Sequence, residues 1–341
     1  MDLIALATTA VERLPLPDAV TLGGVRFLVG NTGRRLAKLP SNDAEFARTM
    51  ADYPIATHTD DANAQHYEVP AGFFDLCLGP RRKYSSCFYP SPSSTIAEAE
   101  EAALAQTVEH AKIEDGMDVL ELGCGWGSLS LYMAETFPNA RITGVSNSHG
   151  QREHIEKLAA AKGLTNLTII TCDMNDFQPE KRFDRVVSVE MFEHMSNWDA
   201  LLGRVKQWVK PEGYLFIHIF THDKSCYRFD HADKADWIAQ HFFTGGVMPS
   251  HGLIRQYPQH FTVEEEWRWN GKHYERTAFD WLARFDANID KIRLILKETY
   301  GKDASLWERR WRMFFLATAG LFGWQDGVPW AVSHYRLKPS Q

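Results

Sequence analysis

Apolar residues in the middle of the chain fall into short runs typical of buried strands, separated by longer stretches with helical spacing. The short runs predict strands at Asp118–Leu122, Arg141–Ser146, Leu167–Cys172, Phe183–Val189 and Tyr214–Phe220. The helical stretches are Ala97–Lys112, Ser128–Phe137, His149–Lys162 and Trp198–Val209, the last opened by a capping box at Ser196 and Asp199. Because this alternation indicates βαβ units, the sequence predicts an α/β fold with a Rossmann-like, mostly parallel sheet.

The two ends of the chain depart from this rhythm. Residues 1–65 are predicted to form a helical N-terminal element, and residues 66–341 the main domain. Within that domain, residues 222–260 are aromatic and irregular and are predicted to form a cap over the substrate. Two helices near 275–298 and 304–322 follow, and Trp330–Leu337 returns to the sheet as a late antiparallel strand.

Composition narrows the class of protein. Of the 341 residues, 44% are hydrophobic and 24% charged, which predicts a globular chain. The net charge of −7 and the lack of a Lys- and Arg-rich tract argue against a nucleic-acid partner. Five scattered cysteines without CxxC spacing favour reduced thiols and a cytoplasmic protein. Neither a secretory signal nor a membrane span is predicted.

The turn after the first predicted strand carries the first candidate ligand site. Leu120–Gly127 includes Glu121 and has glycine at every second position, at Gly123, Gly125 and Gly127. Glycine allows a sharp strand-to-helix turn and lets a ligand approach the backbone. Flavin and nicotinamide sites share such turns, but the GxGxG spacing suits a ligand that has no pyrophosphate to seat on the helix N-terminus.

Polar side chains follow the next two strands. Asn147 and Gln151, after the second strand, can supply ribose hydrogen bonds where an acidic residue is usual. Asp173, after the third strand, can accept a hydrogen bond from an adenine amino group while Met174 packs on the ring. With the glycine turn, these residues predict a ligand that contains adenosine.

Together these residues resemble the class I S-adenosylmethionine methyltransferases, and among them the cyclopropane fatty acid synthase superfamily, in particular its plant coclaurine N-methyltransferase type. The stretches that carry the resemblance are Gln65–Pro70, Lys83–Tyr89, Leu120–Gly127, Ser146–Ser148, Val189–Met195, Phe242–Pro249, Gly271–Tyr274 and Tyr300–Asp303. The resemblance implies S-adenosylmethionine as cofactor and S-adenosylhomocysteine as its product. It also implies that Tyr84 and Ser85 lie over the cofactor.

Candidate catalytic residues cluster after the fourth predicted strand. Glu190, Glu193 and His194 stand at the carboxyl edge of the sheet, where α/β proteins bind ligands, and a single helical turn can present all three. An amine nucleophile must lose a proton, and a neighbouring carboxylate or imidazole can take it. The resemblance adds His218 and Tyr274 to this set. No metal is expected, because His218 and His222 lie four apart in a strand rather than on one helical face.

The preferred acceptor is a small aromatic or alkaloid-like amine. Aromatic residues after residue 221 are suited to stack on a flat ring or to hold a cation. These residues are Phe229, Trp237, Phe242, Phe243, Trp267 and Trp269. The oligomeric state is left open, with a homodimer as one possibility.

Two other functions compete with this one. Cyclopropane synthases act on unsaturated acyl phospholipids and hold bicarbonate with a Cys, a Glu, a His and a Tyr. By the resemblance, the matching positions are Ser86, Glu193, His218 and Tyr274, so the cysteine is missing. Membrane contact is expected only under this lipid alternative. A binding protein with an inactive cofactor fold is the third hypothesis, but the polar residues of the pocket are retained, which argues against it.

Overall fold

One mixed sheet organises the structure. The computed structural model describes residues 12, 14, 16–57, 69–230, 232–233 and 236–341. The strands are β1 (Asp118–Leu122), β2 (Arg141–Ser146), β3 (Leu167–Thr171), β4 (Phe183–Val189), β5 (Val209–His222), β6 (Tyr227–Arg228), β7 (Val247–Met248), β8 (Phe261–Trp269) and β9 (Trp330–Pro339). Within the described residues, seven of them pair in the order β3-β2-β1-β4-β5-β9-β8, and β6 pairs with β7. Strands β1 to β5 run parallel, whereas β9 runs antiparallel to β5 and β8.

Helices cover both faces of this sheet. They are α1 (Asp18–Leu36), α2 (Asp43–Met50), α3 (Ala71–Cys77), α4 (Ile96–His110), α5 (Ser128–Thr136), α6 (His149–Ala161), α7 (Trp198–Trp208), α8 (Trp237–His241), α9 (Lys272–Ala287), α10 (Ile289–Tyr300) and α11 (Ala304–Phe322). Alternate residues of β1 enter different cores: Leu120 and Leu122 pack in one cluster, and Val119 in another. The predicted α/β fold with a mostly parallel sheet and a late antiparallel strand is confirmed.

The strand order reverses at β1, whose neighbours are β2 on one side and β4 on the other. In such a sheet the crossover helices on the two sides leave a crevice at the carboxyl ends of the strands. Helix α1 and the described residues of the segment 222–260 contribute to the cavity wall at this edge. Helix α1 is anchored to α11 by an ion pair in which Arg312 Nη2 lies 2.7 Å from Asp18 Oδ2. The predicted division between residues 65 and 66 lies outside the described residues.

Some local predictions were wrong. The sequence predicts no strand at 261–269, but β8 forms there as an edge strand that pairs only with β9 within the described residues. The consecutive residues Glu264, Glu265 and Glu266 interrupt the alternation of apolar and polar residues that would predict a strand. An edge strand can carry such charged residues because part of it faces solvent. The helix predicted at 275–298 is divided at Asn288 into α9 and α10.

The N-terminus of α7 is capped one residue later than predicted. Asn197 Oδ1 accepts the hydrogen bond from Ala200 N at 3.0 Å. The hydroxyl of Ser196, the predicted cap, instead lies 2.9 Å from Thr57 Oγ1. Asn197 also donates from Nδ2 to the Tyr53 carbonyl at 2.8 Å, so one side chain joins α7 to the segment after α2.

We predict that Asn197→Ala lowers the free energy of unfolding by about 1–2 kcal/mol, because the helix loses its cap. Asn197→Ser keeps a capping oxygen and loses the amide donor to Tyr53 without adding a charge, so it should be less destabilising. Asp199→Ala is the control, since its exposed contact to His260 contributes little. Chemical denaturation checks this, and equal effects for Asn197→Ala and Asp199→Ala would contradict it.

Candidate active site

The turn between β1 and α5 is built from three glycines with left-handed backbone angles. Gly123, Gly125 and Gly127 have φ of +75°, +50° and +81°. A Cβ on Gly123 would come within 2.6 Å of Met191, and one on Gly127 within 2.7 Å of Ile155. A Cβ on Gly125 would meet nothing within 4 Å. The outer glycines therefore allow close packing, whereas the middle one faces open space.

That open space is part of a cavity of about 1300 Å³ at the carboxyl edge of the sheet. Most of the residues proposed from sequence line it: Tyr84, Ser85, Glu121, Gly123, Gly125, Asn147, Gln151, Asp173, Met174, Glu190, Glu193, His194 and Tyr274. Two do not line it. Gly127 lies behind the turn as the N-cap of α5, and His218 lies behind Glu190.

The side chain of Gln151 is arranged to bind a ligand. It is buried, and its Oε1 accepts a hydrogen bond from Ser146 Oγ at 2.6 Å. Its Nε2 is buried and has no hydrogen-bond partner within the described residues. Because a buried donor without a partner is costly, this amide suits a ligand hydroxyl in the cavity. Asp173 and Met174 lie at the same end, with Asp173 Oδ1 accepting from Asn175 N at 2.7 Å.

Glu121 is the penultimate residue of β1, just before the glycine turn. Its carboxyl group is buried and accepts a hydrogen bond from Ser130 Oγ. Burial raises the pKa of Glu121 to about 7, although the bond from Ser130 opposes this shift. Near neutral pH this carboxyl group can therefore be charged or neutral according to what occupies the adjacent cavity.

Glu190 is the centre of the polar network at the other end of the cavity. Ser86 N donates to its Oε1 at 3.0 Å, and the Tyr274 hydroxyl donates to its Oε2 at 2.7 Å. His218 Nε2 lies 3.3 Å from Oε1. Glu190 has a left-handed φ of +46°, a conformation that costs a non-glycine residue roughly 1–3 kcal/mol. The surrounding contacts hold this carboxylate in place despite the backbone strain.

Lys83 lies buried beneath this network. Its Nζ donates to Ser85 Oγ and to the Ser86 carbonyl, both at 2.6 Å. Burial lowers the pKa of Lys83 and raises that of Glu190, while the positive charge of Lys83 lowers the Glu190 pKa. The two residues therefore compensate each other's charge. The sequence shows Lys83 next to the Tyr84–Ser85 segment but gives no sign that it is buried.

Glu193 lies in the short 3-10 helix Phe192–His194, next to Glu190. It is 1% exposed, and its Oε2 has no hydrogen-bond partner among the described residues. Burial, and then the negative charge of Glu190, raise the pKa of Glu193 well above its ordinary value. His194 borders the same cavity, with its ring centroid 4.5 Å from that of Phe243. Glu190, Glu193 and His194 thus border the same cavity, but not on one helical turn as expected, because Glu190 precedes the short helix and has a left-handed backbone conformation.

The residues that the resemblance assigns to a bicarbonate site do not cluster around Glu193. Ser86, His218 and Tyr274 all bond to Glu190 instead. The Ser86 contribution is its backbone N–H, because its hydroxyl is directed to the Cys87 carbonyl at 3.3 Å. A carboxyl group of the chain itself thus lies in contact with all three of these residues.

Three of the six predicted aromatic residues border the cavity: Phe229, Trp237 and Phe243. Phe242 is in the core, stacked on Phe314 at 4.7 Å. Trp267 stacks on His110, and Trp269 packs against Phe88 and His334. Sequence reasoning missed wall residues from distant segments, which include Val20, Phe27 and Leu28 of α1, Phe220 of β5 and Phe322 of α11.

Two findings concern metals and membranes. Within the described ranges, no group of three or more His, Cys, Asp or Glu side chains is placed to hold a metal ion. In the same part of the chain, no helix is both long enough and apolar enough to cross a bilayer.

The doubly wound sheet, the glycine turn that opens onto the cavity and the unpaired amide of Gln151 fit S-adenosylmethionine, and the fold is that of the class I methyltransferases. The chain is an S-adenosylmethionine-dependent methyltransferase. Residues 56–325 match the mycolic acid cyclopropane synthetase family, and the chain belongs to that family.

The similar proteins include an amine-methylating and a lipid-modifying enzyme by name. The (S)-coclaurine N-methyltransferase of Thalictrum flavum subsp. glaucum is 35% identical, over 85% of this chain and 82% of that protein. The cyclopropane-fatty-acyl-phospholipid synthase of Escherichia coli (strain K12) is 31% identical, over 79% of this chain and 66% of that protein. A solved coclaurine N-methyltransferase bound to N-methylheliamine and SAH has a TM-score of 0.93 at 30% identity, over 99% of this chain and 100% of that chain.

We predict that Gly125→Ala weakens S-adenosylmethionine binding about tenfold or more, since an added Cβ enters the cavity that the cofactor would fill. Gly116 provides the control, because it also has a positive φ (+85°) and open space around it but does not line the cavity. Gly116→Ala carries a similar backbone cost of roughly 1–2 kcal/mol without touching the ligand. Calorimetric titration of both folded variants checks this, and equal affinities would contradict it.

Proposed function

We propose that this enzyme N-methylates a small aromatic amine. The observation that carries the proposal is the Glu190 carboxyl group, which contacts the three groups at positions that, by the family resemblance, would hold bicarbonate in a cyclopropane-forming enzyme. These groups are the backbone N–H of Ser86, the His218 imidazole and the Tyr274 hydroxyl. A free bicarbonate ion would have to compete with a tethered carboxylate that is always present.

The walls of the cavity suit a flat, cationic acceptor. Phe229 and Phe243 border it as an edge-to-face pair at 4.9 Å, and Phe220 packs on Phe243 at 5.6 Å. Aromatic faces attract both flat rings and cations. Glu193 adds a buried carboxyl group at the same surface. The acceptor would therefore stack on the aromatic wall with its nitrogen directed to Glu193.

Glu193 is the group that would remove the proton from the amine. Burial raises the pKa of both carboxyl groups, but Lys83, the Tyr274 hydroxyl and the Ser86 N–H oppose this shift at Glu190, whereas Glu193 has an unpaired oxygen and its pKa is raised well above the ordinary range. An ammonium group placed beside Glu193 favours its ionised form. Binding of the acceptor thus prepares the base, and loss of the N–H proton to Glu193 leaves the nitrogen lone pair free to attack.

S-adenosylmethionine, when bound, supplies an electrophilic methyl group on its sulfonium sulfur. Gly123, Gly125 and Gln151 would hold it, with Asp173 at the adenine end. The chain contributes position and the exclusion of water, since α1 and the segment 222–260 supply much of the cavity wall. Apart from positioning the reactants, the residues of the chain have only to remove one proton from the amine.

We expect label from S-adenosyl[methyl-¹⁴C]methionine in the nitrogen-methylated product when the enzyme is supplied with tetrahydroisoquinolines or phenethylamines, with no dependence on bicarbonate. Vesicles of unsaturated phosphatidylethanolamine and phosphatidylglycerol, with and without added bicarbonate, form the second arm. Mass spectrometry identifies the products. Label found only in cyclopropanated or methyl-branched lipid would overturn the amine proposal and support the lipid alternative.

We predict that Glu193→Gln lowers kcat about a hundredfold or more, because the base is lost, while S-adenosylmethionine affinity stays unchanged. The variant should be at least as stable as the parent, since a neutral amide replaces a buried carboxyl group that carries a raised pKa. Glu212→Gln, at an exposed position of β5, is the control. Parent-like turnover in Glu193→Gln would refute the assignment.

The pH dependence of stability provides a second check on Glu193. A raised pKa means that the folded state binds the proton more tightly than the unfolded state, so stability decreases as the pH rises from about 4.5 toward the folded-state pKa. The unfolding free energy of Glu193→Gln relative to the parent should therefore increase with pH across this window. A difference that does not vary with pH would show that the Glu193 pKa is ordinary.

A further inference from the structure

The cavity has a second polar end, remote from the two buried glutamates. Strand β5 measures the distance between the ends: His218 contacts Glu190, and Trp330 of β9 pairs with β5 four residues further on. At about 3.3 Å per residue, this stretch of strand is about 13 Å long. Phe220 lies midway along it and borders the cavity. At the remote end, Trp330 Nε1 donates a hydrogen bond to the Tyr227 hydroxyl at 3.1 Å.

The Tyr227 hydroxyl has a proton to donate into this end of the cavity. Tyr227 and Trp330 both border the cavity, and the indole N–H uses the hydroxyl only as an acceptor. Within the part of the chain that the structure describes, the hydroxyl donates no hydrogen bond. A tyrosine hydroxyl can donate and accept at once, and a buried donor without a partner is costly. This hydroxyl is therefore suited to donate to a ligand.

The charges near the Tyr227 hydroxyl oppose each other. Burial raises the pKa of Tyr227, the negative charge of Asp236 adds to this shift, and the positive charge of Arg35 opposes it. The hydroxyl therefore keeps its proton at neutral pH. The Asp236 carboxyl group is engaged within its own loop, where it accepts from Ala239 N at 3.2 Å and from Asp230 N at 3.1 Å. This end of the cavity thus suits a neutral oxygen rather than a charged group.

A row of aromatic rings connects the two ends. The ring of Phe229 meets that of Tyr227 edge-on at 5.8 Å and that of Phe243 at 4.9 Å, and Phe243 lies 4.5 Å from the His194 ring. An aromatic amine stacked on this row with its nitrogen at Glu193 directs the opposite edge of its ring toward Tyr227. One ring between a nitrogen and an oxygen, with a hydrogen bond of about 2.8 Å at each end, matches the span along β5.

We propose that Tyr227 is a specificity-determining residue whose hydroxyl binds an oxygen substituent, a hydroxyl or an ether, on the aromatic ring of the acceptor. This rests on the proposed function, which supplies the other anchor, the nitrogen at Glu193. An acceptor without the oxygen leaves the Tyr227 proton unpaired, and a site built to hydrogen-bond a substrate group discriminates against an analogue that lacks it. Tyr227 is remote from the nitrogen and takes no part in the removal of its proton.

The test compares two acceptors of nearly equal size, 4-hydroxyphenethylamine and 4-methylphenethylamine, with the parent enzyme and Tyr227→Phe. We expect the parent to have a kcat/KM about tenfold higher for the hydroxyl compound, and Tyr227→Phe to lose this preference through a higher KM for that compound. Turnover of the methyl compound should stay unchanged in the variant. 4-Methoxyphenethylamine, whose ether oxygen can only accept, should behave like the hydroxyl compound if Tyr227 is the donor.

The paired acceptors separate a specificity role from a structural one. Tyr227→Phe also leaves the Trp330 indole without its acceptor, but a general disturbance of the cavity would affect both acceptors alike. Tyr257→Phe is the matched control, because it removes a buried tyrosine hydroxyl, bonded to Met50 Sδ, that does not border the cavity formed by the described residues. It should retain the preference of the parent.

Two results would overturn the proposal: a parent enzyme that treats the hydroxyl and methyl compounds alike, or a Tyr227→Phe variant that keeps the preference. The first measurement needs no variant, so the proposal stays testable if Tyr227→Phe does not fold. A parent enzyme that methylates no amine would instead overturn the proposed function.

Discussion

The carboxyl group of Glu190, buried among hydrogen-bonding groups from separate parts of the chain, is the constraint on which the site depends. Ser86 comes from the loop before α4, His218 from β5 and Tyr274 from α9. Removing a charge from water is costly unless it is paired and hydrogen-bonded, so these elements must all be in place together. Lys83 supplies the opposite charge from below. The loop, the sheet and α9 are thereby held in one arrangement around the cavity.

The surroundings of Glu190 and Glu193 give these two neighbouring carboxyl groups different chemical properties. Glu190 has its hydrogen bonds made and a cation nearby, whereas Glu193 has an unpaired oxygen and a negative neighbour. Groups whose environments shift their pKa values apart are suited to separate chemical roles. Glu190 can remain charged through the reaction, and Glu193 can change its protonation state when a cationic acceptor arrives. A single carboxylate could not do both.

The sequence predicts the parts of this arrangement that are local. Strands β1 to β4 are five to seven residues long, and the turn from Gly123 to Gly127 is contiguous, so periodicity and spacing are enough. The hydrogen bonds that join the rings of His110, His334 and His218 arise instead from pairing between β5 and β9 and from the end of α4, more than a hundred residues apart in sequence. A histidine in a strand gives no sign of its cross-strand partner. Likewise, the acidic residues of β8 conceal it in the sequence, because charged residues are tolerated in a strand at the edge of a sheet.

A tethered carboxylate and a free bicarbonate ion differ in one chemical respect. Bicarbonate that accepts a proton can dissociate and carry that proton away. Glu190 cannot leave the site, so under the proposed function a different group, Glu193, has to take the proton of the acceptor. A built-in carboxylate at Glu190 and a separate base at Glu193 should therefore occur together.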